Sequence, residues 1–338
     1  MNILLNGIGR IGKSILRISN KKNYFNILAI NELNTNIQNI AYTINYDSTY
    51  GNLDQKYKVE DDYIYNTTSK IKILNNPTLE SIDFKSLNID IIIDASGAKI
   101  DINILQNLHV KKIFLTHPNK DANINMILGV NEHLYKNQKI ISTSSCNATA
   151  LLPVLKIIDD NFGIEFGDIA TIHPLLNHQK TLDSSCIGST ARDVNCSFEF
   201  GRSSLQNIIP SKTTTIDACA LVSSNINNNL ISSNSFRVPT PTVGAINISL
   251  VVKKECTKEE LINILKQYEI NQKFKIILNN DEALVSSDFA KSEYTSIVDH
   301  RFTNVIKNKM IKLVLWYDNE YGYASKVVEI VKESSINK

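Results

Sequence analysis

Gly7, Gly9 and Gly12 follow the short apolar run Ile3-Leu4-Leu5 in the spacing G-x-G-x-x-G, and few folds accommodate that start. The first glycine of such a turn permits its tightness, and the second lets backbone approach a pyrophosphate. The third allows close packing of helix on strand. The helix that begins there presents free N–H groups and a positive dipole end to an anion. A helical pattern runs on through about Ile18, and a second strand from Phe25 to Ile30 ends at Asn31-Glu32. Glu32 stands about 20 residues past the last glycine, where an acid accepts from the ribose hydroxyls of NAD and repels a 2′-phosphate. A glycine turn alone is weakly specific. A tight surface turn beside a solvated glutamate leaves the spacing unexplained, whereas a βαβ unit holding NAD accounts for it.

The same architecture continues downstream. Ile89 to Asp94 is nearly all apolar, as a strand buried on both faces should be. Ala95-Ser96-Gly97 and a helix around 100–108 follow, then a strand from Lys112 to Thr116 closed by His117-Pro118. Ile140-Ile141 leads through Ser144-Ser145 into Cys146, and Ala148 to Asp160 reads as a helix. This alternation predicts a doubly wound parallel α/β domain of the Rossmann type over residues 1–145. Beyond it the pattern changes. Ala245 to Val252 and Ile311 to Trp316 read as longer strands, and Lys258 to Tyr268 as a helix. Residues 184–205 and 223–236 are rich in Ser and Asn and read as loops. A second, α+β catalytic domain over 146–319 with a mixed or antiparallel sheet is expected, with a C-terminal helix of about 320–338 returning to the first domain.

Composition narrows the function classes. A formal charge of +2 with no dense Lys/Arg run argues against a nucleic-acid partner. Met1-Asn2-Ile3-Leu4-Leu5 runs straight into the glycine turn and does not read as a signal peptide. Apolar stretches fall short of the roughly 18 to 20 residues that a membrane span needs, so a cytoplasmic protein without a membrane partner is expected. The five cysteines, Cys146, Cys186, Cys196, Cys219 and Cys256, are odd in number and form no CxxC pair. That pattern predicts neither a metal site nor a disulfide framework, and reduced thiols are the expectation.

Cys146 stands where a strand gives way to a helix, a position that favours a thiolate. A nucleophilic cysteine also needs a base, and His173 closes the β-like run Ala170-Thr171-Ile172. Spacing alone favours a small buried cysteine and an ordinary histidine over a nucleophile and its base.

Eight segments, in order, resemble the glyceraldehyde-3-phosphate dehydrogenase family, including its erythrose-4-phosphate dehydrogenase branch. They are Asn6-Gly-Ile-Gly-Arg-Ile-Gly12, Tyr46-Asp-Ser-Thr-Tyr-Gly51, Gly129-Val-Asn131, Ser145-Cys146, Thr171-Ile-His173, Ile208-Ile-Pro210, Phe236-Arg-Val-Pro-Thr-Pro241 and Trp316-Tyr-Asp-Asn-Glu-Tyr-Gly322. The resemblance implies Cys146 as nucleophile and His173 as its base. It implies that Arg10 and Ile11 flank the pyrophosphate, that Ser96 and Thr116 line the cofactor cleft, and that Asn319 holds the nicotinamide carboxamide. Arg237 is implied for the substrate phosphate, a role that suits a bidentate guanidinium. Ser145, Asn147, Thr213 and Thr214 fall at the phosphate-binding positions. The implied reaction is NAD-dependent oxidation of glyceraldehyde 3-phosphate through a cysteine thioester, with inorganic phosphate as second substrate and a homotetramer as the assembly.

The chain departs from the family in places. The family follows its cysteine with Thr-Thr-Asn, whereas here Asn147-Ala148-Thr149 follows. Two small hydrophilic positions of the substrate-phosphate site fall on Leu176 and His178, and Leu176 has no group for phosphate. Several extra residues lie between Asp183 and Ile208, with Cys186 and Cys196 among them, either incidental or a redox-sensitive pair. Asn31-Glu32-Leu33, Thr116-His117-Pro118 and Leu176 lean towards erythrose 4-phosphate and hydrolytic release. A degenerate relative with a binding or regulatory role is the third reading.

Overall fold

A computed structural model describes residues 1–34, 36–189 and 195–336. Two units emerge, the first made of Met1–Met126, His133–Ser144 and the segment from Ala324 onward, the second of Ile127–Glu132 and Ser145–Tyr323.

In the first unit β1 (Asn2–Asn6), α1 (Arg10–Lys22) and β2 (Asn26–Asn31) form the βαβ element expected from the glycines. Next come α2 (Ile37–Asn45) and the short strands β3 (Lys58–Glu60), β4 (Tyr63–Tyr65) and β5 (Lys70–Leu74). β6 (Ile91–Asp94), α3 (Ile102–Asn107), β7 (Lys112–Leu115), β8 (Ile124–Asn125) and β9 (Ile140–Ser142) complete it. Among the described residues the sheet has the order β3-β4-β5-β2-β1-β6-β7-β9-β8. It is parallel from β5 to β8, and β3 and β4 add an antiparallel edge. The near-continuous apolar strands are buried as their sequence demands, with Ile3, Leu4, Leu5, Ile92 and Ile93 fully enclosed. Helix α1 stops at Asn23, which takes the left-handed conformation (φ 52°) and donates its N–H to the Ser19 carbonyl.

The second unit opens with α4 (Cys146–Phe162) and β10 (Ile164–His173), followed by β11 (Ile209–Ser211), α5 (Thr215–Ala220) and β12 (Ile231–Arg237). β13 (Gly244–Val252), α6 (Lys258–Asn271), β14 (Ile277–Asn280), β15 (Ser296–Asp299), β16 (Asn304–Ile306) and β17 (Met310–Tyr317) follow, and the next helix, α7 (Tyr321–Ile336), belongs to the first unit from Ala324 onward. The main path of the sheet is β11-β12-β10-β13-β17-β15-β14, with β16 on β17, and its pairings are mixed. α6 begins with a capping box in which Thr257 and Glu260 satisfy each other's backbone N–H.

Two expectations change here. Residues 223–236, read as a loop, contain most of β12. Its inward-facing residues are Ile231, Ser235 and Arg237, so the hydropathy alternation that marks a strand is missing. Reduced thiols were expected throughout, but Cys186 and Cys196 are joined in a disulfide with their Cα atoms 5.3 Å apart. An antiparallel bridge between Ile187 and Ser197 brings the two together across the inserted loop. Cys146, Cys219 and Cys256 are free.

Candidate active site

In the first unit the glycine turn is built as its spacing requires. Gly7 has φ +91°, and a Cβ there would fall 2.5 Å from the Ser96 Cα. A Cβ on Gly12 would collide with the Gly7 carbonyl, whereas nothing lies within 4 Å of a Cβ position on Gly9. Gly9 is also the N-cap of α1, without a side-chain cap and with no acid in the first turn. The helix therefore begins without a side-chain cap or an acid and with open space beside Gly9, which suits an anion. Ile11 lies half-buried in this first turn. The Arg10 guanidinium meets Asp47 at 2.5 Å and lies over the Tyr50 ring, so the backbone is what the turn offers to a ligand.

Glu32 is fixed at the end of β2. One carboxylate oxygen accepts from the Ile8 N–H at 3.0 Å and the other from the Asn34 N–H at 3.1 Å. A cavity of about 330 Å³ is lined by Gly7, Glu32, Leu33, Pro77, Ser96 and Ile100, among others. The Ser96 hydroxyl donates to Asp94 at 2.7 Å and accepts from the Ala98 N–H at 3.1 Å. Thr116 donates to the Asp94 carbonyl at 2.9 Å.

In the second unit the elements converge on Cys146. Ser145 caps α4 by accepting from the Ala148 N–H at 3.2 Å, which places Cys146 in the first position of the helix. His173 ends β10 and Arg237 ends β12. The two strands pair in parallel with these residues directly in register, so both side chains stand at the same end of the sheet. His173 Nε2 lies 3.8 Å from Cys146 Sγ. Its Nδ1 lies 2.9 Å from the Pro174 carbonyl, which only accepts, so Nδ1 carries the proton and Nε2 presents a lone pair to the thiol.

Burial, helped by the Arg237 charge, lowers the His173 pKa to about 3 and keeps the ring neutral. Burial likewise pushes the Cys146 thiol up to about 11, against the pull of Arg237 and of the backbone N–H groups of Asn147 and Cys146. At neutral pH the pair is thus a thiol beside a neutral imidazole, and the proton must move between them when sulfur attacks. Arg237 is 8% exposed, and its Nε has no hydrogen-bond partner among the described residues. A guanidinium held there calls for an anion.

The remaining predicted groups of this unit have partners of their own. Asn319 is buried, and its Oδ1 accepts from Thr242 at 3.3 Å and from the Val243 N–H at 3.2 Å. Thr213 pairs with Thr215 at 2.7 Å, and Thr214 is exposed at the start of α5. Leu176 engages Gln179 through its backbone, its N–H donating to the side-chain oxygen and its carbonyl accepting from the Gln179 N–H, while His178 stacks on Phe200. Asn147 turns inward to Tyr317 and Thr215. Sequence reasoning singles out neither of those two as a site residue. Tyr317 sits inside the Trp316-Tyr-Asp-Asn motif, which is the signal that points to it.

Residues 1–102 match the family model described as glyceraldehyde 3-phosphate dehydrogenase, NAD binding domain, and residues 145–319 match the C-terminal domain of the same family. Curated relatives align over almost the whole chain. The glyceraldehyde-3-phosphate dehydrogenase of Buchnera aphidicola is 35% identical over 337 residues, covering 98% of each chain. Glyceraldehyde-3-phosphate dehydrogenase 1 of Kluyveromyces marxianus is 32% identical over 336 residues, with 98% of this chain and 99% of the relative covered. Glyceraldehyde-3-phosphate dehydrogenase 2 of Saccharomyces cerevisiae is 33% identical over 337 residues, again with 98% of each.

Proposed function

The chain belongs to the glyceraldehyde-3-phosphate dehydrogenase family, and from that premise we propose that it oxidises glyceraldehyde 3-phosphate through a thioester on Cys146 that inorganic phosphate then cleaves. It is an NAD-dependent oxidoreductase acting on an aldehyde group. One observation carries the reading: Cys146 Sγ faces the lone pair of a neutral His173, beside a buried guanidinium.

The residues of the first unit fit a dinucleotide. The start of α1 at Gly9, Arg10 and Ile11, without a side-chain cap or an acid in its first turn, would hold the pyrophosphate. Gly7 and Gly12 keep the turn close, and the Glu32 carboxylate stands at the rim of the cavity for ribose hydroxyls. Ser96 and Thr116 would line the same cleft, and Asn319 would hold the carboxamide with its amide NH₂. When bound, NAD supplies the hydride acceptor.

The chain's own groups carry the rest. As Cys146 sulfur bonds to the aldehyde carbon, its proton passes to His173 Nε2, and the Pro174 carbonyl holds the ring in place through Nδ1. Backbone N–H at the start of α4 and the newly protonated His173 hold the oxyanion. Loss of hydride leaves the acyl group as a thioester on Cys146. Inorganic phosphate, held by Ser145, Thr213 and Thr214, attacks the acyl carbon while Arg237 holds the substrate's own phosphate. Cys146 leaves as thiolate and recovers its proton from His173. We further infer a homotetramer working in the cytoplasm. Among the described residues, no helix is long and apolar enough to cross a membrane.

The test follows NADH formation from glyceraldehyde 3-phosphate as phosphate rises from zero. A rate that climbs and saturates is expected. Indifference to phosphate, with faster turnover of erythrose 4-phosphate, would show that water cleaves the thioester and overturn the substrate assignment.

A further inference from the structure

Asn147 is 9% exposed and lies in a slot between two buried hydroxyls, those of Tyr317 and Thr215. Its Oδ1 accepts from the Tyr317 hydroxyl at 2.7 Å and lies 3.5 Å from Cys146 Sγ, as an acceptor for the S–H. Its Nδ2 donates to Thr215 Oγ1 at 3.2 Å, and that hydroxyl is 2.7 Å from Thr213 Oγ1. Both ends of the amide are thus engaged inside the protein. This arrangement suits a protonated sulfur. A thiolate has no hydrogen to give, and carbonyl lone pairs beside it repel it.

The two partners make a second arrangement possible. Hydroxyls donate and accept equally well. If the amide turns end for end, Nδ2 donates to Cys146 sulfur and to the Tyr317 oxygen, and Oδ1 accepts from the Thr215 hydroxyl. Every buried polar atom of the amide keeps a partner in both positions. The slot itself is tightly walled: a Cβ on Gly244 would fall 2.6 Å from the Tyr317 hydroxyl, so the phenol has little room to withdraw.

We propose that Asn147 is a further catalytic residue, an amide that turns to donate to the Cys146 sulfur when it carries negative charge. The proposal rests on Cys146 being the nucleophile. It gives Asn147 a task at the sulfur in place of a contact to phosphate, and it links that sulfur, through Thr215, to the Thr213 hydroxyl. The other groups facing the sulfur are His173 on β10, Arg237 on β12, Tyr317 on β17 and Glu320 just beyond it, together with the α4 backbone N–H groups. Only Arg237 and those backbone groups favour the ionised sulfur, while burial and Glu320 oppose it. An amide whose NH₂ can turn to the place its Oδ1 now occupies, 3.5 Å from the sulfur, fills that shortfall.

The experiment measures alkylation of Cys146 by iodoacetamide from pH 6 to 10 in the full chain, with the labelled site mapped by mass spectrometry. Asn147→Thr keeps a donor, Asn147→Val has the same shape without one, and Asn147→Asp substitutes a negative charge. Thermal unfolding of each variant reports whether it folds. At pH 8 the Val variant should react about tenfold more slowly than the Thr variant, equivalent to roughly one unit in the thiol pKa. The Asp variant should be slower still, with its profile displaced to higher pH. Should Asp prevent folding, the Thr and Val pair decides alone. Equal rates for folded Thr and Val variants across the range overturn the proposal. If the wild-type label falls on another cysteine, the nucleophile assignment itself fails, a different result from loss of the Asn147 effect.

Discussion

Replacing His173 by Asn tests the neutral thiol–imidazole pair most directly. The thiol is pushed up to about 11 by burial. At pH 8 it is therefore ionised in about one molecule in a thousand, a tenfold loss for each unit below the pKa. In the wild type Nε2, 3.8 Å from the sulfur, takes the proton during attack and removes the need for prior ionisation. Without that base, turnover is left to the rare thiolate. The expected loss at pH 8 is about 10³-fold, inside the range of roughly 10² to 10⁴ usual for a general base. The pH dependence gives a second readout. Burial and Arg237 hold His173 down to about 3, so in the wild type the base is available throughout the neutral range and the rate changes little there. In the variant the rate should climb about tenfold per pH unit, following the thiolate fraction towards its pKa. The assay is the pre-steady-state burst of NADH from glyceraldehyde 3-phosphate at saturating NAD, between pH 6 and 9. A His173→Asn enzyme within about threefold of wild type at pH 8, or with a flat pH profile, refutes the assignment of His173 as base.

Arg237→Lys should raise KM for the aldehyde phosphate by about tenfold or more, because a point charge cannot span two phosphate oxygens as a guanidinium does; unchanged KM would remove Arg237 from phosphate binding. The wild-type enzyme should prefer NAD, and Glu32→Ala should narrow that preference by removing the carboxylate now bonded to the Ile8 N–H. Equal kcat/KM for NAD and NADP in the unaltered protein would sink the ribose role. Peptide mapping without reductant should recover Cys186 and Cys196 in one crosslinked fragment, with Cys146, Cys219 and Cys256 as free thiols; full alkylation of all five would contradict the crosslink.

The βαβ start was legible in the sequence because its constraints are local. Only glycine tolerates φ +91° at position 7 with Ser96 against it, and only a short apolar run can form a strand buried on both faces such as β1 or β6. The identity of the nucleophile and its partners was legible as an ordered set of motifs, since each lies within a few residues at an element's end. What sequence could not decide is which ends meet. His173 and Arg237 are far apart in the chain, and only the parallel register of β10 and β12 sets them side by side. That pairing is invisible to hydropathy because β12 buries a serine and an arginine, residues whose value lies in charge and hydrogen bonding and not in apolar area. The protonation states follow from the same packing: the Pro174 carbonyl chooses the tautomer of His173, and burial moves the two pKa values apart. Asn147 shows the division most clearly. Its sequence position suggested a ligand for phosphate, but the fold encloses it between the Tyr317 and Thr215 hydroxyls, and an amide is directed by the partners that surround it.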